Sequence, residues 1–345
     1  MGCGSSSSDC NSCPSKSAGC GGAQQPQDMT APLHELSSVK HVIGVVSGKG
    51  GVGKTTVTAC LGAALSHAGH RVLLCDGDFG LRDLDLVLGV ADEIIYDALD
   101  ASEDKEYTDD AIVSIAENLD FLPASQSARW EDIGRKKYKK LVRRLCDVYD
   151  YILIDAPAGI GKGIESILDL VSRCIVVTHP LWVSLRNGAR MIQVCQEHNI
   201  RDFAIAFNAV PVDGEDIDLY DMLEVLRAEY VGAMIPYDED ILTYTQDGHL
   251  LDLASHEFRN VLAPLVDYVV TGDCWEDYDV QKQFDAYVTK KKAAKEESCT
   301  PTLASAGESI FGDSNTVLYI NRGGWTTQRL LVQGKQSLWR RRKLK

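Results

Sequence analysis

Apolar residues come in short continuous runs separated by longer amphipathic stretches. Residues 41–47, 71–76, 119–122, 151–155, 174–178, 204–208 and 231–235 each form a run of strand length with no polar alternate face. Helical spacing occupies the stretch after the first run as far as Ala68, then residues 135–148, 183–198, 219–229 and 256–270. Strands that are apolar on both sides must be covered on both sides. Their alternation with helices therefore predicts an α/β fold: a doubly wound, mostly parallel sheet with helices on both faces. The periodicity begins near Val39 and fails from about Lys290. The expected layout is a flexible Cys-rich arm over 1–38, one α/β domain over 39–275, and a polar linker with a basic tail over 276–345.

Composition narrows the function classes. At 345 residues with 45% hydrophobic side chains, the chain can bury a sizeable core. It has no 18-residue apolar stretch, which argues against a membrane-spanning helix. No charged start followed by an apolar run opens the chain, so a cytoplasmic location is expected. Net charge is −15, unevenly spread: from Lys290 onward there are 12 basic and 4 acidic side chains. The acidic body argues against DNA as a partner, because non-specific DNA binding neutralises phosphates. The basic end suits an anionic partner or lipid surface.

The strongest chemical signal is Gly48-Lys49-Gly50-Gly51-Val52-Gly53-Lys54-Thr55-Thr56, between a predicted strand and a predicted helix. It fits the G-x-x-x-x-G-K-[ST] phosphate loop. Glycines let successive backbone amides curl around phosphate oxygens, and the helix start adds partial positive charge. Lys54 is expected to reach the β- and γ-phosphates, with the Thr55 hydroxyl on Mg²⁺. Asp155 ends the strand Tyr151-Ile-Leu-Ile-Asp155, where a second Mg²⁺ group belongs, and Asp76 and Asp78 end another. Each could alone be a helix cap or a solvated loop acid. In an open parallel sheet, however, the carboxyl ends of the strands converge on the ligand.

The second lysine of the loop, Lys49, makes the motif resemble the deviant Walker A of the MinD/ParA/Mrp group of ATPases. The resemblance extends over residues 41–270. Asp76-Gly-Asp78-Phe-Gly-Leu-Arg-Asp-Leu-Asp85-Leu is similar to the MinD switch I segment. Ile95-Tyr-Asp-Ala-Leu, Leu122-Pro-Ala-Ser-Gln126, Asp155-Ala-Pro-Ala-Gly-Ile160 and Ser184-Leu-Arg186 are also MinD-like. This resemblance implies an ATPase that homodimerises on ATP, with Lys49 crossing to the partner's phosphates. It also implies that Asp78 orients the attacking water and Asp76 is an outer Mg²⁺ acid. Asn208 and Pro236 would frame the adenine. Two positions depart from the family: Asn187, where an acid is usual, and His179, where Asn is usual. Both fall near surfaces the family uses for dimer or partner contacts, which leaves the activating protein open.

The first twenty residues hold Cys3, Cys10, Cys13 and Cys20 of the eleven cysteines. Thiolates at such spacing suit soft metals or clusters. Cys10, Cys13 and Cys20 resemble the start of Mrp-type iron–sulfur carriers, although the paired cysteines those carriers have further on are missing. At the other end, Leu338, Trp339 and residues 340–343 form a basic segment with a Trp, suited to the inner face of a membrane. The reading is a MinD-like ATP-hydrolysing dimerisation switch, a spatial regulator such as one for division-site placement. The alternatives are an Mrp-type cluster carrier and a flagellar-number or other cargo-positioning ATPase.

Overall fold

The structure is a computed structural model and describes residues 41–212, 218–254 and 258–299. Its elements follow the predicted alternation. They run β1 (His41–Val46), α1 (Lys54–His67), β2 (Val72–Asp76), α2 (Leu84–Leu88), α3 (Ala98–Glu103), β3 (Val113–Ala116) and β4 (Leu119–Leu122). The chain continues through α4 (Arg135–Leu145), β5 (Tyr151–Asp155), α5 (Lys162–Leu168), β6 (Arg173–Thr178), α6 (Trp182–Glu197) and β7 (Phe203–Val210). It closes with α7 (Leu219–Leu226), β8 (Val231–Pro236), α8 (Glu239–Gln246), α9 (Leu250–Ala254), α10 (Phe258–Thr271) and α11 (Asp277–Cys299).

The strands form one sheet in the order β3-β4-β2-β5-β1-β6-β7-β8. Seven strands run parallel, and β3 pairs antiparallel with β4 at one edge. The apolar runs do not predict β3, because its side chains alternate between half-buried and exposed at the sheet edge. The central strands instead bury both faces, and alternation assigns each residue to a layer. On β1, Val42 and Val46 join one core while Ile43 and Val45 join the other. On β5, Ile152 and Ile154 face the first core, and Leu153 the second. Tyr138, Leu141, Ile167, Leu185 and Met191 of α4, α5 and α6 cover the first face. Leu61, Leu65, Leu262 and Leu265 of α1 and α10 cover the second.

The packed body runs past residue 275, where the expected domain ended. Helix α11 lies along the edge strand β8, with Val280 and Phe284 in one core and Tyr287 in the other. Its first turn also serves the strand edge, since the Asp277 carboxylate accepts the Val231 N–H at 3.0 Å. An edge strand left bare would present unpaired amides. The stripe Val280, Phe284, Tyr287, Val288 has helical spacing, but it sits beside a lysine-rich stretch that resembles a linker. Cys10, Cys13, Cys20 and the basic segment ending at Lys345 lie outside the described residues. Phe284→Ala should cost about 3 kcal/mol, read as a lower urea midpoint at unchanged slope. Tyr278→Ala, at a site 76% exposed, should stay within about 0.5 kcal/mol of the parent.

Candidate functional site

The chain leaves β1 through Ser47 and turns into α1 over a loop that its neighbours hold in shape. Gly51 and Gly53 adopt φ of +75° and +85°, a left-handed conformation that side chains resist. A β-carbon at Gly48 would strike the Asn187 carbonyl on α6, and one at Gly53 would strike the Asn208 amide. The Ser47 hydroxyl donates to the Lys49 carbonyl at 2.8 Å, and Asn208 Nδ2 donates to the Val52 carbonyl at 2.8 Å. No side chain caps α1, and its first turn carries no acid. Its first amides therefore keep their capacity for an anion. Lys54 is buried in this loop and Lys49 is exposed on it.

Two carboxylates stand beside the loop on neighbouring strands. Asp76 of β2 and Asp155 of β5 are register partners, and both are buried. Thr55 Oγ1 donates to Asp155 Oδ2 at 2.6 Å, whereas Asp155 Oδ1 is buried with no hydrogen-bond partner. Asp76 is occupied on both oxygens by backbone amides, Asp78 N–H at 2.8 Å and Leu84 N–H at 3.1 Å. Burial pushes the Asp76 carboxyl up to about 8, assisted by the charge of Asp155 and opposed by those amides. Burial raises Asp155 to about 6, against the pull of Lys54 and the Thr55 bond. Asp78 is half-buried; burial raises it and Lys54 lowers it. Asp83 adds negative charge to both Asp78 and Asp155, a contribution the motif reading missed.

No three His, Cys, Asp or Glu side chains cluster to hold a metal among the described residues. A metal bound here would therefore draw its oxygens from Thr55, no more than two carboxylates, waters and its phosphate ligand. That donor set fits Mg²⁺, which keeps waters and takes one or two carboxylates plus phosphate oxygens. The orphaned Oδ1 of Asp155 is the atom such an ion would satisfy. Asp76, committed to α2 through its two amides, stands behind it.

Asn208 and Pro236 are placed differently from one another. Asn208 braces the phosphate loop, while Pro236 lines a cleft of about 160 Å³ with Val212, Tyr237, Tyr287 and Val288. The two segments are joined by the Tyr237 N–H, which donates to the Val210 carbonyl at 2.8 Å. Helix α11 forms the outer wall: Tyr287 donates to Asp238 at 2.8 Å and Lys292 to the Val212 carbonyl at 3.0 Å. Lys291 pairs with Asp238 at 3.0 Å and with Asp240. His179 lies within the field of Lys49; burial first and then that charge lower its pKa. Beside it, Leu181, Trp182 and Val183 are exposed, as is Ile160 on the loop after β5.

A family model for ParA, described as NUBPL iron-transfer P-loop NTPase, matches residues 38–212, just over half of the chain. This chain belongs to the ParA family of P-loop NTPases. The septum site-determining protein MinD of Synechocystis is 37% identical over 62% of this chain and 82% of that protein. The fold agrees with the MinC:MinD cell division complex of Aquifex aeolicus at a TM-score of 0.60 and 31% identity, covering 68% of this chain and 97% of that one. Pyrococcus horikoshii MinD complexed with Mg-ADP gives a TM-score of 0.59 at 30% identity, covering 67% and 96%.

The raised carboxyls make stability depend on pH. Asp155 in the folded chain holds a proton up to about pH 6, while the unfolded chain releases it near pH 4. The charge-dependent cost of its burial is therefore absent at low pH and grows as pH rises through that window. Asp155→Asn, whose amide oxygen can keep the Thr55 bond, should stabilise the nucleotide-free protein by on the order of 2–3 kcal/mol at pH 7 relative to pH 4. Urea unfolding of the parent and variant at both pH values measures this difference.

Proposed function

We propose that this chain is an ATP-hydrolysing dimerisation switch of the MinD kind, a spatial regulator that acts in division-site placement. The observation that carries the reading is the buried, unpartnered Oδ1 of Asp155 beside Thr55 and the phosphate loop. A polar atom buried without a partner is costly, and a Mg²⁺–triphosphate relieves it. Lys54 and the loop amides bind the β- and γ-phosphates, and Pro236 with the cleft beside it takes the adenine. Thr55 and Asp155 would hold a Mg²⁺, which would supply positive charge to offset that of the phosphates. Asp78 orients the attacking water, with burial raising its pKa and the charge of Lys54 pulling it back down.

In the proposed dimer, Lys49 meets the phosphates of the second copy. Two triphosphates facing each other across an interface repel unless cations are supplied from each side. The exposed Leu181, Trp182, Val183 and Ile160 support this reading, because they give the rim around Lys49 apolar surface to bury. The Aquifex MinD was solved with MinC, and a protein partner of that kind is proposed for the ATP-bound dimer here. The basic segment before Lys345 is proposed to dock on an anionic membrane from the cytoplasmic side. None of the helices among the described residues is long and apolar enough to cross one.

Lys54→Ala should weaken ATP binding at least about ten-fold. Asp78→Ala should keep affinity within about three-fold yet lower kcat about 10²-fold. Titration calorimetry and phosphate release separate the two effects, and parent-rate turnover by Asp78→Ala would remove its water-orienting role. In sedimentation with ATP, Asp78→Ala should dimerise while Lys49→Ala combined with Asp78→Ala stays monomeric. Equal dimerisation of both would sink the role of Lys49 in trans.

A second reading, an ATP-dependent iron–sulfur carrier, is favoured by one observation: the matching family model is described as an iron-transfer NTPase. It assigns Cys10, Cys13 and Cys20 as cluster ligands. Anaerobic purification should then yield stoichiometric iron and sulfide that Cys10→Ser and Cys13→Ser abolish. Metal-free protein would leave the switch reading alone.

A further inference from the structure

Trp130 lies on the loop between β4 and α4, outside every phosphate-binding motif. Its indole is buried, and Nε1–H donates to the Gly77 carbonyl at 2.8 Å. Gly77 directly precedes Asp78. The Gly77 N–H in turn donates to the Asp155 carbonyl at 2.8 Å, and the Gly80 N–H donates to the Ser125 carbonyl at 2.9 Å. The backbone is therefore fastened on both sides of Asp78. The segment also holds Arg82 at φ 53°, a left-handed conformation that a side chain resists.

Ring packing holds the indole in place. Phe79 meets Trp130 at 4.8 Å and 70°, and Tyr138 at 5.8 Å and 84°. Trp130 meets Tyr138 at 5.3 Å and 82°, so the three buried rings are mutually edge-to-face. The indole also lies tightly against the segment that follows Asp155. A β-carbon on Gly163, in the first turn of α5, would sit 2.6 Å from indole Cδ1 and 2.8 Å from Pro157. One side chain thus touches both the segment carrying Asp78 and the segment after Asp155. Tryptophan suits this place because the nitrogen on its ring is a donor only, matched to a carbonyl.

We propose that Trp130 is a positioning residue for Asp78, acting through the Nε1–H···O=C bond to Gly77. Held there, the Gly77–Asp78 backbone aims the carboxylate at the water; released, it can drift. The proposal rests on the water-orienting role proposed for Asp78. A displacement of about 1 Å at a reacting group can cost up to about 10²-fold in rate without weakening substrate binding.

The test is a mutant cycle. Trp130→Phe keeps a ring against Phe79 and Tyr138 but has no donor. It should lower kcat about ten-fold, with KM for ATP within about two-fold. In the Asp78→Ala background the same substitution should change residual turnover by less than about two-fold, because residues acting as one unit are not additive. Leu265→Ala opens a cavity in the core on the opposite face of the sheet from the ring cluster. It should lower Tm yet keep kcat within about two-fold. Parent-like kcat in Trp130→Phe, an equal ten-fold loss in both backgrounds, or a ten-fold loss in Leu265→Ala would each overturn the proposal. Parent-rate turnover by Asp78→Ala alone is a distinct outcome, which removes the Asp78 assignment and the proposal with it.

Discussion

Two acids, Asp76 and Asp155, stand at register positions on adjacent strands, both shielded from water, one beside a buried lysine. Burying like charges side by side is expensive, and the surroundings offset that cost piece by piece. Lys54 and the Thr55 hydroxyl serve Asp155, while the amides of Asp78 and Leu84 serve Asp76. The balance is incomplete, since one oxygen of Asp155 has no partner and both carboxyls sit above their ordinary range. An arrangement left short of positive charge is one that a cation-bearing nucleotide completes.

The same constraint shapes the neighbouring backbone. Because Asp76 anchors the amide that starts α2, the segment between them, which carries Asp78, is tied to the acidic pair. Its other ties are tertiary: Gly77 to Asp155 and Trp130, and Gly80 to Ser125. Arg82, a non-glycine residue at φ 53°, adds a left-handed conformation to the same segment.

Around this centre the sheet does the positioning. Parallel pairing of β1, β2 and β5 brings their carboxyl ends together, which is where open α/β sheets bind ligands. On the far side, β7 and β8 deliver Asn208 and Pro236, and α11 closes the cleft beside Pro236 while sealing the edge of the sheet. One helix thus serves a strand edge and walls the cleft beside Pro236.

Much of this was legible along the chain. The apolar runs marked seven of the eight strands, because a strand buried on both faces must be apolar throughout. The phosphate loop and its three acids were readable because that chemistry demands glycine, lysine and threonine at fixed spacing. Local pattern could not reveal what depends on distant partners. Strand β3 is half-exposed and pairs only at an edge, and α11 hides its apolar stripe beside lysines. Asn208 fits a base-framing position in the sequence, and no local pattern shows that its amide also donates to the Val52 carbonyl. Trp130, 53 positions from the carbonyl it holds, carries no motif at all. The sequence by itself determined the fold class and the phosphate chemistry, since both rest on short-range spacing. Which side chains brace that chemistry was decided only by tertiary packing, because hydrogen bonds and ring contacts depend on proximity in space and leave no period in the chain.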